Sequence, residues 1–359
     1  MAIARKSFFL TVTACIFSVA IGLGYAFNET HLDNSKLPQG CSACHRSHGA
    51  RATVMLERPK DELCFKCHGP FKKGTKGEAM TDIYSVILKR ANHPILQTTR
   101  YHVAGESFPE KSSSTPRHVS CYDCHNPHLS KKDKAINEVR GYSGKGVIIR
   151  RIENEFEVCY KCHSDSANLP ADASNIARKF DPGNASFHPI ETVGKNTTVP
   201  SLQGTLSVLS IITCSDCHGN DDKGGPKGPH GSNYEFMLKE NYDMDSGPES
   251  PYAYELCYGC HGRGSILNDE SFKSHKAHVL YNNESCYACH DAHGSSGYEN
   301  LINFDTRLVT ANSLGQLNYM PLITGKPRCF LSCHVDGVTY EHKMTGFNYC
   351  VNSNCPPGW

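Results

Sequence analysis

Eight cysteine pairs, each followed directly by a histidine, are spread along this 359-residue sequence. Seven pairs have the spacing CxxCH, and the eighth has one extra residue between its cysteines. Histidine makes up 20 of the 359 residues, so composition would place one after a given pair in roughly one case in eighteen. Finding one after all eight pairs excludes chance. The motifs are Cys41/Cys44/His45, Cys64/Cys67/His68, Cys121/Cys124/His125, Cys159/Cys162/His163, Cys214/Cys217/His218, Cys257/Cys260/His261, Cys286/Cys289/His290 and Cys329/Cys333/His334.

Two thiols at this spacing can add to the vinyl groups of one haem, and the histidine that follows supplies a proximal nitrogen to its iron. The pattern predicts eight covalently attached haem c groups. Structural zinc is the alternative. However, zinc does not require a histidine after every second cysteine, and this many ligands would overfill tetrahedral sites. In the eighth motif we expect the extra residue to bulge, so that both sulfurs reach the ring.

Aligned by their cysteines, the eight motifs form four repeats of two. A second histidine, here called the trailing histidine, follows the first motif of each repeat: His48, His128, His230 and His293. A leading histidine precedes the first motif: His31, His93, His188 and His278. Repeat three departs from the pattern, because a loop rich in Gly and Lys is inserted before its trailing histidine. We expect residues 27–80, 81–180, 181–268 and 269–359 to hold the four haem pairs, the last with a C-terminal tail.

This layout resembles the multihaem cytochromes c with doubled CxxCH motifs, such as the octahaem proteins. The resemblance implies a chain of mostly coil with short helices and few short strands, whose core is formed by stacked haems. It also implies that each trailing histidine is a distal ligand of the second haem of its own repeat, and that each leading histidine is a distal ligand of the first haem. The pairs implied are His48 with Cys64/Cys67, His128 with Cys159/Cys162, His230 with Cys257/Cys260, and His293 with Cys329/Cys333.

The sequence contains more histidines outside the motifs than the eight haems need as distal ligands. Twelve histidines remain after the eight proximal ones are subtracted from 20, and they compete for eight positions. His102 and His118 are alternatives to His93, His275 is an alternative to His278, and His342 has no expected role. The seven methionines have no position linked to the repeat.

The first 26 residues are typical of an export signal, in which Arg5 and Lys6 precede an apolar run. Lipidation at Cys15 and an uncleaved anchor are open alternatives. Cys350 and Cys355 lack a following histidine, and in an oxidising compartment we expect them to form a disulfide. Hydrophobic residues make up only 38% of the chain, so we expect the haems to supply most of the core.

Electron transfer is the favoured function, and a redox enzyme acting on nitrite, hydroxylamine or tetrathionate is the alternative. Such enzymes keep an exchangeable iron position, often through CxxCK, which is absent from this sequence. The expected partners are other cytochromes or quinol-linked membrane complexes, with a porin conduit or self-association in filaments as further alternatives. The expected location is the periplasm, the outer membrane or the cell exterior. A formal net charge of +1 gives no indication of nucleic-acid binding.

The haem count is tested by intact-mass spectrometry of the mature protein. We expect a mass increase equal to eight covalently bound haems, because each cysteine pair forms two thioether bonds. A smaller increase would show that one or more pairs, in the first instance Cys329/Cys333, do not attach haem.

Overall fold

The computed structural model describes residues 30–46, 55–58, 60–70, 81–96, 119–164, 174–321 and 327–334. Its helices are short, and none in these ranges is both long and apolar enough to cross a membrane. The α-helices are α1 (Lys60–His68), α2 (Tyr84–Ile87), α3 (Cys121–Cys124), α4 (Phe156–His163), α5 (Ile176–Lys179), α6 (Cys214–Cys217), α7 (Glu255–Tyr258), α8 (Arg263–Leu267) and α9 (Cys286–Cys289). Two 3₁₀ turns, Gly40–Ala43 and Glu235–Met237, and a π-helical turn, Lys276–Tyr281, complete the helical segments described.

Most attachment motifs form one helical turn. Helices α3, α6 and α9 begin at the first cysteine of a motif and end at the second, whereas α1 and α4 end at the motif histidine. In five motifs the histidine N–H donates to the carbonyl of the first cysteine at 2.9 Å, which brings the imidazole back beside the two thiols; these first cysteines are Cys41, Cys121, Cys214, Cys257 and Cys286.

Local sequence explains why two of these turns start where they do. Ser120 precedes α3, and its backbone N–H donates to Asp123 Oδ2 at 2.8 Å. Thr213 precedes α6, and its N–H donates to Asp216 Oδ2 at 2.7 Å. Both pairs form capping boxes, which stabilise the first turn of a helix. The aspartate between the cysteines therefore helps to position them.

The eighth motif differs from the others. Cys329 lies on a strand, and the N–H of His334 donates to Leu331 O at 2.9 Å rather than to the first cysteine. The extra residue thus changes a helical turn into a strand followed by a tight turn.

The strands are only two or three residues long and form two-stranded antiparallel ladders. They are β1 (Ala91–Asn92), β2 (Gly141–Tyr142), β3 (Ile148–Ile149), β4 (Ser186–Phe187), β5 (Gly231–Ser232), β6 (Gly294–Ser295), β7 (Asn318–Met320) and β8 (Arg328–Phe330). β2 pairs with β3 and β7 with β8, each within one repeat. β1 pairs with β5, and β4 pairs with β6, so these two ladders join repeat two to repeat three and repeat three to repeat four.

Buried apolar side chains form small separate clusters, each against attachment cysteines. Ala253, Tyr254, Leu267 and Val279 pack beside Cys257 and Cys286, and the cluster of Ala288, Val309 and Leu331 packs beside Cys289, Cys329 and Cys333. Two further clusters, around Val139 and around Phe187, contact Cys124 and Cys214. The apolar run 206–212 adds little to these clusters, because Leu209 is 72% exposed. In the described residues, the buried apolar side chains are thus grouped around the attachment sites.

Glycine follows two trailing histidines because the backbone of another segment passes very close. A Cβ atom at Gly231 would lie 2.1 Å from Val86 O, and one at Gly294 would lie 2.1 Å from Lys179 O. Both contacts are with backbone atoms, which cannot move aside as a flexible side chain can. Glycine here allows the ladders β1–β5 and β4–β6 to form.

We expect Gly294→Ala to destabilise the haem-loaded protein by about 1–3 kcal/mol, the usual cost of overpacking. Gly297→Ala is the matched control, because a Cβ there meets nothing within 4 Å. Urea denaturation of the two variants measures the difference. Equal midpoints would contradict the role given to the close backbone contact.

Candidate haem sites

Each motif histidine faces the ring of one histidine from outside the motifs. The eight facing pairs have ring centroids 5.9–6.4 Å apart, and their planes range from nearly parallel to perpendicular. The pairs are His45–His128, His68–His31, His125–His230, His163–His93, His218–His293, His261–His188, His290–His275 and His334–His278.

The separation fits one metal atom between two imidazoles. An imidazole nitrogen lies about 2 Å from a metal that it binds, and the ring centre lies about 1 Å behind that nitrogen. Two ligands on opposite sides therefore have centroids about 6 Å apart. Structural zinc would need four ligands around one point, whereas the residues that the structure describes contain no group of three or more His, Cys, Asp or Glu arranged to hold a metal ion. The donor set fits a haem iron, with two cysteines beside each pair for the thioether bonds.

Each leading histidine faces the second motif of its own repeat. His31 lies opposite His68, His93 opposite His163, and His188 opposite His261. His278 likewise lies opposite His334. This differs from the sequence-based expectation, which placed the leading histidines at the first haems.

Each trailing histidine in the described residues faces a motif of the preceding repeat. His128 of repeat two faces His45 of repeat one, at 6.0 Å between centroids. His230 of repeat three faces His125 of repeat two, and His293 of repeat four faces His218 of repeat three.

These positions differ from the expected pairs of His128 with Cys159 and Cys162, His230 with Cys257 and Cys260, and His293 with Cys329 and Cys333. The physical reason is that the chain folds each repeat back onto the one before it. A trailing histidine consequently reaches the preceding repeat rather than the next motif along the chain.

The motif on α4 shows this correction most directly. Cys159 and Cys162 are both partly buried on this helix, and Cys162 comes directly before His163. The sequence-based expectation gave the haem of Cys162 the distal ligand His128. The structure instead places the ring of His93 opposite His163, with 6.4 Å between centroids. Cys162 therefore stays a proposed attachment residue, and the histidine that faces its motif is His93 rather than the expected His128.

The first motif of repeat four is faced by a histidine of its own repeat. Its His290 faces His275, with centroids 6.3 Å apart. His275 caps the π-helical turn that contains His278, so one short segment supplies both facing rings of repeat four. The sequence offered His275 only as a competitor of His278.

Several sequence predictions fall outside the described residues. These concern the trailing histidine of repeat one, the export signal, and the surplus histidines and cysteines, namely His48, residues 1–26, Cys15, His102, His118, His342, Cys350 and Cys355.

Leading histidines are held by the segment that carries the trailing histidine of the next repeat. The Nδ1–H groups of His31 and His93 donate to Pro127 O at 2.9 Å and Pro229 O at 2.7 Å, and that of His188 donates to Ala292 O. In each case the acceptor is the residue just before a trailing histidine. A hydrogen bond at Nδ1 fixes the tautomer and leaves Nε2 as the metal-binding nitrogen. Each leading histidine and the trailing histidine of the next repeat, which face the two motifs of one repeat, are thereby set side by side.

Motif histidines use nearby carbonyl groups in the same way. Nδ1 of His218 donates to Phe236 O at 2.7 Å, and Nδ1 of His290 donates to Asn300 O at 2.9 Å. His261 is different, because its Nδ1 lies 2.9 Å from the hydroxyl of Ser201. Since a carbonyl can only accept, the proton of His218 and of His290 is on Nδ1.

Burial keeps these rings neutral. The pKa of His163, His230, His261 and His275 falls to about 4, because burial disfavours the charged ring and neighbouring imidazoles add repulsion. A metal binds the neutral form. At neutral pH these rings are therefore already in the form that a metal requires.

The motifs are adjacent in space in the order in which they occur in the chain. Thiols of successive repeats make contact in the pairs Cys64–Cys121, Cys159–Cys214 and Cys257–Cys286. Within repeats, Cys44 interacts with Cys64 and Cys67, Cys124 with Cys159, Cys217 with Cys257 and Cys260, and Cys289 with Cys329 and Cys333. Each attachment site therefore has its sequence neighbours as its spatial neighbours.

Comparison with known proteins agrees with this chemistry. Residues 143–301 match the family described as outer membrane cytochrome MtrC/MtrF-like, domains II/IV. Residues 36–73 and 115–168 match the doubled CXXCH motif family. Multiheme cytochrome MtrA from Shewanella baltica (strain OS185) is 26% identical over 140 residues, which are 39% of this chain and 28% of that protein. The chain thus spans less than a third of the length of that relative. No solved structure matches the chain.

The paired motifs, the facing imidazoles and these similarities agree on one cofactor, covalently bound haem c. The predicted short helices and few short strands are present among the described residues. Together, these findings support a multihaem c-type cytochrome with paired CXXCH motifs.

Proposed function

We propose that this protein is an exported octahaem cytochrome that carries electrons between other redox proteins. The observation that supports this best is the set of eight histidine pairs, each with a motif histidine on one side and centroids 5.9–6.4 Å apart. Two imidazoles per iron fill both axial positions. An iron closed in this way can gain and lose an electron but offers no position to a substrate.

The polypeptide contributes to this function by holding the histidine ligands in place, and its own side chains do not react. The haem supplies the change between ferric and ferrous iron. The carbonyl groups of Pro127, Pro229 and Ala292 keep the leading imidazoles in one orientation. Rings fixed in this way rearrange little when the charge on the iron changes, which favours rapid electron transfer.

Chain order is also the proposed order of electron transfer. Contacts between thiols of successive repeats, and electrostatic interactions between thiols within each repeat, link each motif to the next from the first repeat to the fourth. We infer a single file of haems with one end at the motif of Cys41 and the other at the motif of Cys329. The four segments 27–80, 81–180, 181–268 and 269–359 remain the proposed repeats, although each of the first three depends on the next for a ligand.

The similarities indicate where the protein works. One matching family is described as an outer membrane cytochrome, and the relative is named a multiheme cytochrome. These support export and a role in electron transfer at the outer membrane. Other cytochromes are the proposed partners, with a porin as the structure through which electrons would cross.

A redox enzyme is less well supported, because each of the eight motif histidines already faces a second imidazole. Electron paramagnetic resonance of the oxidised, fully loaded protein tests this point. We expect only low-spin ferric haem, with spectra unchanged by nitrite or hydroxylamine. A high-spin haem whose spectrum changes with either compound would support the enzyme instead.

Two variants distinguish the proposed ligands from those expected from the sequence. We expect His31→Ala to convert one haem, that of Cys64/Cys67, to the high-spin state, because His68 loses the ring opposite it. His48→Ala should leave this haem low-spin, although the sequence pattern had paired His48 with it. The same resonance spectra, with haem counts from mass spectrometry, measure both outcomes. A high-spin haem in His48→Ala and none in His31→Ala would reverse the assignment.

A further inference from the structure

Three trailing histidines occupy equivalent places but have different neighbours two residues earlier. Asn126 precedes His128, Gly228 precedes His230, and Asp291 precedes His293. Beside the same kind of histidine, the fold thus places an amide in repeat two, no side chain in repeat three and a carboxylate in repeat four.

In repeat four the carboxylate lies against the ring. Asp291 Oδ1 accepts the backbone N–H of His293 at 2.9 Å and lies 3.4 Å from its Nδ1. Asp291 Oδ2 lies 2.7 Å from Lys179 Nζ and 3.3 Å from Asn303 Nδ2. The side chain is only 16% exposed, so water screens its charge poorly.

In repeat two the same turn is built without charge. Asn126 Oδ1 accepts the N–H of His128 at 3.1 Å, as Asp291 does for His293. In repeat three Gly228 offers no side chain, and Nδ1 of His230 is buried without a well-formed hydrogen bond. By contrast, Nδ1 meets a carbonyl or hydroxyl oxygen in His31, His93, His188, His218, His261 and His290. Asp291 is therefore not needed to form the turn, since asparagine forms it equally well.

A carboxylate beside the Nδ1–H of an axial histidine makes the ring a stronger electron donor. Negative charge near the iron also stabilises its ferric form. We propose that Asp291 is a positioning residue that lowers the reduction potential of the haem bound by His218 and His293. This inference rests on the proposed ligand pairs. The haem of Cys214 and Cys217, the fifth along the chain, is therefore harder to reduce than it would be without Asp291. The positive charge of Lys179 limits this effect.

The test is a spectroelectrochemical titration of the full-length, haem-loaded protein. Asp291→Asn places in repeat four the side chain that repeat two already has. We expect one component of the titration to move to higher potential by about tenfold in the ferrous-to-ferric ratio, or about 59 mV. Lys179→Gln should move the same component in the opposite direction. The resonance signal of that haem should change in Asp291→Asn while remaining low-spin.

Asp181→Asn is the matched control. Asp181 Oδ1 accepts the N–H of Gly183 at 2.7 Å, also two residues on, but without a histidine in the turn. The titration of this variant should match that of the wild type. An equal shift in both variants, or no shift in Asp291→Asn, would overturn the proposal.

His293→Ala separates failure of this inference from failure of the ligand assignment. If His293→Ala produces one high-spin haem but Asp291→Asn shifts nothing, the role of Asp291 is wrong and the ligand pair stands. If all haems stay low-spin in His293→Ala, the ligand pair itself is wrong and the inference fails with it.

Discussion

Two imidazoles that must face each other around one metal are the constraint on which the rest of the structure depends. The two rings come from distant parts of the chain, so their backbones have to approach closely. The ladders β1–β5 and β4–β6 lie directly beside His93 and His230, and beside His188 and His293. In each ladder these are a leading and a trailing histidine that face the two motifs of one repeat. Gly231 and Gly294 are needed at the closest backbone contacts. The few strands that join the repeats therefore form because the histidines beside them have to lie close together.

This constraint also explains how a chain with little regular structure can be ordered. The buried apolar clusters contain three or four residues each, and they pack against attachment cysteines rather than against one another. Segments of this size seldom bury enough apolar surface to fold alone. Covalent attachment and paired ligation would supply what the apolar clusters lack, because binding energy at a site formed only in the folded state is folding energy.

The exchange of ligands makes the repeats interdependent. His128, His230 and His293 each face a motif of the preceding repeat, so under the proposed ligation a haem pair is complete only when the next repeat has folded. Repeat four differs, because His275 and His278 lie on one π-helical segment and face both motifs of their own repeat.

Local chemistry was readable from the sequence. The CxxCH spacing predicted haem c, and the resemblance to cytochromes with doubled motifs implied short helices and a ligand role for histidines such as His93 and His230. The partner of each histidine could not be read in this way, because an offset along the chain does not say which repeat lies opposite. His275 shows the limit most clearly: the sequence offered it only as an alternative to His278, whereas the structure places it opposite His290.

The amino-acid sequence by itself determined the cofactor, the attachment cysteines and the motif histidines, because thioether formation and proximal ligation involve residues within one turn of the chain. The tertiary structure alone decided which second histidine faces each motif. It also decided that Asp291 lies beside a ligand ring and is held by Lys179. The reason is physical: these contacts join residues between 15 and 112 positions apart or depend on the orientation of a side chain, and only the folded backbone specifies either.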